Sequence, residues 1–138
     1  MKTLWALLPL LIIALAATVL WKGGDTPTAA ISLNCADLAQ GCATRLRGRL
    51  VSVGTSGPVK PLAPFQVWVK AVNARKIQAS FTMQGMDMGF NLYTLSAAGG
   101  DVFRGRVTLP VCVSGRRDWV MALDIDGAVL NVPFRSDF

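Results

Sequence analysis

Ile77-Gln78-Ala79-Ser80-Phe81-Thr82-Met83 alternates apolar and polar residues without a break, and Trp119, Met121, Leu123 and Ile125 repeat the spacing. Side chains two apart on a strand share a face, so each segment predicts a strand with one buried side. Working outward, segments of strand length fall at 43–53, 65–71, 75–83, 86–95, 102–109, 118–125 and 128–134. Between them lie Gly54 to Pro64 with three prolines, Ala98-Gly99-Gly100-Asp101, and Asp126-Gly127, all of turn or loop chemistry. The expected fold is all-β: an immunoglobulin-like β-sandwich of about seven strands, preceded by an N-terminal transmembrane helix.

That helix is read from Leu4 to Trp21, where every residue is apolar or uncharged, between Lys2 and Lys22. The run approaches the ~20 residues that span a hydrocarbon core, and Trp21-Lys22 resembles an interfacial anchor. Ala14-Leu15-Ala16 also fits a signal-peptide cleavage pattern, so residues 1–22 are read as anchor or signal peptide. Cys35 does not rescue a lipoprotein reading, because Ser32-Leu33-Asn34 before it lacks the expected small residues. Residues 23–34 read as a linker and 35–138 as the domain. The localisation expected is the inner membrane, single pass, with the C-terminal domain in the periplasm.

The net charge of +6 raises nucleic acid as a partner. An exported domain meets little of it, and Arg45, Arg47 and Arg49 alternate as solvent-facing strand positions do, so no nucleic acid is expected. Export favours one disulfide and one leftover thiol among the three cysteines. Cys35 and Cys42 are close and precede the strands, which makes them the natural pair, although pairings through Cys112 stay open. The chain has no histidine and no glutamate, which argues against general-base enzymology and against ordinary zinc or Cu(II) sites.

One stretch carries chemistry. Phe81-Thr82-Met83-Gln84-Gly85-Met86-Asp87-Met88-Gly89 holds three of the four methionines after the initiator. Apolar residues sit at odd positions up to Met83 and at even ones from Met86, so a phase slip falls at Gln84-Gly85. Glycine there permits a bulge or tight turn that would bring Met86 and Met88 to the side of Met83. Thioethers are soft, never protonated, and suit Cu(I). The competing reading is packing, since methionine fills gaps in cores; it weighs most for Met83, while Met86 and Met88, fenced by glycines around Asp87, stand between the two. Cys112, beside Pro110, is a candidate thiolate for the same site, a buried small hydrophobe or a disulfide partner. Met121 reads as core, and Trp68 and Trp119 as core or sheet-face aromatics.

Pro61-Leu62-Ala63-Pro64-Phe65, Phe81 to Met83, Gly85-Met86-Asp87-Met88-Gly89, Asn91 with Tyr93, Leu109-Pro110-Val111-Cys112 and Arg117-Asp118-Trp119 together resemble small periplasmic proteins of the YtkA-like and FixH-like group. The resemblance spans about Pro58 to Phe134. It implies an anchored immunoglobulin-like domain associated with copper handling and haem-copper oxidase assembly. By that likeness Met86 and Met88 are the leading metal positions, Met83 is next, and Cys112 is a candidate fourth. The chain departs from many copper carriers in lacking a histidine beside the methionines, and it has no Cys-x-x-x-Cys pair to support a thioredoxin-like role.

The function expected is thus a membrane-anchored accessory protein, not an enzyme. It would bind Cu(I) through a Met-rich loop and pass it to a haem-copper oxidase or another copper protein. The alternative is a metal-free immunoglobulin-like module docking on a membrane partner.

Overall fold

A computed structural model describes residues 29–86 and 91–137 of the chain. Among these residues there are nine strands and no helix: β1 (Ile31–Ser32), β2 (Cys42–Leu46), β3 (Arg49–Ser56), β4 (Pro64–Ala71), β5 (Ile77–Met83), β6 (Leu92–Ala97), β7 (Val102–Thr108), β8 (Asp118–Ile125) and β9 (Ala128–Arg135). Their order is β1-β9-β8-β5-β6-β7-β4-β3-β2 in a mixed, nearly closed sheet. Only β1 against β9 is parallel. β6 joins two ladders, pairing with β5 through Leu92 to Leu95 and with β7 through Ser96 and Ala97.

The period-two reading of β5 and β8 holds at every inward position. Ile77, Ala79, Phe81, Met83, Trp119, Met121, Leu123 and Ile125 are all buried. Phe81 on β5 meets Phe65 on β4, Tyr93 on β6 and Phe134 on β9 edge-on, with centroids 6.1, 5.9 and 6.2 Å away. Each such pair adds about 0.5–1.5 kcal/mol beyond burial, so this aromatic cluster couples both ladders. Trp68 faces outward from β4, opposite Gly54. Its ring lies so close over Gly54 and Gly41 that a Cβ at Gly41 would come within 2.6 Å of it, and one at Gly54 closer still. Absence of a side chain at these two glycines makes the slot in which the indole packs.

Three strand expectations are corrected. The segment 43–53 is two strands, not one, because Arg47 (φ 49°) and Gly48 (φ 76°) form a hairpin turn between Leu46 and Arg49. Consecutive left-handed residues are what a two-residue hairpin of matching twist needs, so Arg47 lies in a turn rather than on a strand face. The strand expected at 86–95 begins at Leu92, after the chain has turned away at Gly85. β1 lies within the expected linker 23–34. With the split of 43–53, it raises the count from about seven strands to nine. The expected membrane segment 1–22 lies outside the described residues; among the described residues no helix is long and apolar enough to cross a membrane.

β1 stops for a covalent reason. Ser32 pairs with Asn131, and Leu33 N–H donates to the Asn131 carbonyl at 2.8 Å. The next parallel bond would need an N–H at position 133, which is proline. The 33–41 segment therefore leaves β9. It is tied back to β2 by the Cys35–Cys42 disulfide, as expected, and Leu38 C=O accepts from Gly41 N–H (3.2 Å) and Thr55 N–H (2.9 Å).

Candidate functional site

Met83 ends β5, and Met86 returns across a tight turn in which Met86 N–H donates to Met83 C=O at 3.0 Å. The two residues form an antiparallel bridge. Gly85, the third residue of the turn, has φ 76° with open space around it, so glycine serves the backbone geometry there and not packing. Residues bridged in this way project to one face, yet their environments differ. Met83 is 2 % exposed and belongs to the core, whereas Met86 is 42 % exposed at the rim. Met88 lies outside the described residues.

The loop is held from two sides. The Asn91 side chain accepts from Phe81 N–H (2.7 Å) and donates to Phe81 C=O (2.6 Å), replacing one rung of the β5–β6 ladder. Because that amide satisfies Phe81, β6 need not pair beyond Leu92 against Ser80. On the other side Arg116 donates to Gln84 C=O at 3.0 Å and pairs with Asp118. That bond ties the methionine turn to the segment carrying Cys112.

Cys112 is the free cysteine, partly buried against the core. Gly115 N–H donates to its carbonyl at 3.2 Å, closing a turn with Gly115 at φ 69°, and its Sγ lies 2.9 Å from the Ser114 hydroxyl. Ser114, first through its hydroxyl and then through its backbone, holds the thiol below its ordinary pKa, and Arg116 adds to the effect. A lowered thiol pKa raises the thiolate fraction at neutral pH, and thiolate is the form that attacks electrophiles and binds metal.

Of the four residues singled out in the sequence, the structure thus sets Met86 at the surface on a turn bonded through Gln84 and Arg116 to the Cys112 segment, and sets Met83 beneath it. Among the described residues no three of His, Cys, Asp or Glu gather into a metal-binding group. Sequence reasoning gave no role to Asn91, Ser114 or Arg116. Ser114, two residues after a cysteine, was the detectable signal; the Asn91 clamp depends on a partner ten residues away. Compared with known proteins, the chain matches no family model, and no curated protein or solved structure matches it.

Proposed function

We propose that this chain is an exported, membrane-anchored accessory protein that binds Cu(I) through its methionine loop, in copper delivery or respiratory oxidase assembly. The nine strands read as an immunoglobulin-like sandwich, supported by two ladders joined through β6. The observation that carries the metal reading is a thioether of Met86 standing 42 % exposed on a turn bonded to the segment that holds a thiolate-prone Cys112. The sulfur donors fit a soft monovalent ion. Met86, Met88 and Cys112 would hold it, and Met83 would join only if the turn opened. An ion held by few ligands at a rim can accept an incoming thiolate before releasing its own, so transfer proceeds by ligand exchange.

Anaerobic Cu(I) titration of the full chain in detergent tests this reading. Saturable 1:1 uptake lost in Met86→Leu with Met88→Leu, and weakened in Cys112→Ser, is the expected result. Equal uptake by the double variant overturns it.

A second reading, a metal-free docking module, is favoured by exposed apolar residues: Val111 (50 %) and Val113 (101 %) beside Cys112, and Leu62 (69 %), whose N–H donates to Leu109 C=O. Copper-independent capture of a membrane partner, lost in Val111→Ser with Val113→Ser, would support it over the first.

A further inference from the structure

The seam between the two edges of the sheet opens into a cleft of about 600 Å3, a volume typical of ligand sites. One wall is the disulfide-tied 33–41 segment with Leu38; facing it are Val59, Trp119 and the end of β9 from Pro133 onward. Among the described residues, β9 has no strand partner on its β1 side between Asn131 and Asp137, whose N–H donates to Val59 C=O at 2.7 Å. Since Asn131 C=O accepts from Leu33 on that side, the alternation of a β-ladder turns the backbone of Pro133 and Arg135 toward it as well. A proline carbonyl and an arginine N–H, spaced as one slot of a parallel ladder, are left on the cleft wall.

Two further features point to a ligand. Trp119, which lines the cleft, is 1 % exposed, and its indole N–H has no hydrogen-bond partner among the described residues. Buried polar groups left unpaired are costly and uncommon. Charge is the second feature. Asp37, Asp118 and Asp137 line the cleft against Arg135. Asp118 is paired with Arg116 and Asp37 accepts from Ala39 N–H. Beside the Asp118–Arg116 pair, Asp37 and Asp137 thus stand with Arg135 on the cleft wall, on a chain whose net charge is +6.

We propose that this cleft is a docking slot for an extended, Lys- or Arg-bearing segment of a partner polypeptide, which adds to β9 in parallel where β1 stops. One residue of the segment donates its N–H to Pro133 C=O and accepts from Arg135 N–H. Alternate side chains meet the apolar wall of Leu38, Val59 and Trp119, and those between reach Asp37 and Asp137. Unpaired strand edges recruit strands by this geometry, with main-chain bonds for affinity and alternate side chains for selection. Pro133 narrows the edge to a single slot, which limits indiscriminate pairing. The slot requires no metal.

Fluorescence polarisation of the full chain in detergent, with a copper chelator present, tests the proposal. The probe is a labelled, end-blocked peptide of sequence Val-Lys-Val-Lys-Val. Saturable binding is expected, at least tenfold tighter than for Val-Glu-Val-Glu-Val, and weakened at least tenfold by N-methylation of the central valine. Asp37→Asn with Asp137→Asn, both at exposed positions, should bring the Lys-over-Glu preference below threefold. The proposal is overturned by absence of saturable binding, by equal binding of the N-methylated or Glu peptide, by equal binding of butylamine alone, or by a dimer of the chain that the peptide does not displace.

Discussion

At one end of the strand array the connections are short and carboxylates close them; at the other the chain runs through long segments that carry the disulfide, the free thiol and the methionine turn. Asp126 shows how the first end is built. Its side chain accepts from Arg75 N–H (3.0 Å) and Lys76 N–H (2.9 Å) and pairs with Arg49 at 3.0 Å. Its own backbone, at φ 51°, starts the turn between β8 and β9. Asp124 accepts from Gly127 N–H, and Asp101 from Asn73 N–H. Each carboxylate satisfies backbone donors that a turn would otherwise leave to solvent. The second end satisfies its backbone by longer reaches, through Asn91 to Phe81 and Arg116 to Gln84, and among the described residues it carries the two most exposed large apolar side chains, Val113 and Leu62. The difference teaches that one end fastens the sheet through short turns, while the other holds longer loops by a few bonds that reach across them.

The contrast can be broken most severely by removing the disulfide. Cys35→Ser with Cys42→Ser releases a short loop, for which chain entropy predicts a loss of about 2.5 kcal/mol in urea unfolding, with the cleft wall most affected. Asn91→Ala leaves both backbone groups of Phe81 without the amide; about 1–3 kcal/mol is expected, with hydrogen exchange at Phe81 accelerated and that at Asp126 unchanged.

At the fastened end, Asp126→Asn should cost about 1 kcal/mol near neutral pH. The backbone N–H of Lys76, and then Arg49, hold the Asp126 carboxyl below its usual range. The unfolded chain therefore takes up this proton more readily than the folded one, so the stabilisation is complete above about pH 4 and is lost as pH falls through the folded value. The gap between wild type and variant in urea midpoint should narrow at pH 3. A gap independent of pH would show that the charge plays no part.

Smaller effects belong to the sulfur end. Met86→Leu, at an exposed position, should change stability by less than about 0.5 kcal/mol; a larger loss would mean that Met86 packs rather than waits at the rim. Ser114→Ala should leave stability unchanged and slow thiol labelling of Cys112 severalfold at pH 7, with the two rates converging where both thiols are ionised. Equal rates at pH 7 would remove Ser114 as the cause of the lowered pKa.

The strands most legible in the sequence were those whose signal is local. In β5 and β8 the residues at every second position are apolar, so burial of one face follows from the pleat. Cys35 and Cys42 could be paired from proximity alone. The hairpin at Arg47-Gly48 escaped because Arg45, Arg47 and Arg49 keep a polar alternation through the turn, and Arg-Gly lacks the Asn-Gly or Asp-Gly signature. The phase slip at Gln84-Gly85 located the methionine turn correctly, but spacing carried no information about depth. Met83 is buried because β8 places Trp119 beside it; among the described residues Met86 has no such neighbour strand.

The sequence by itself determined that the domain is all-β, which faces of its clearest strands are buried and where glycine bends it, and it favoured Cys35 with Cys42, because each rests on spacing along the backbone. Only the tertiary structure decided which loops share an end, that Met86 is exposed while Met83 is buried, and that β1 leaves β9 before Pro133. Those outcomes depend on pairings between residues far apart in the chain, and no local period records them.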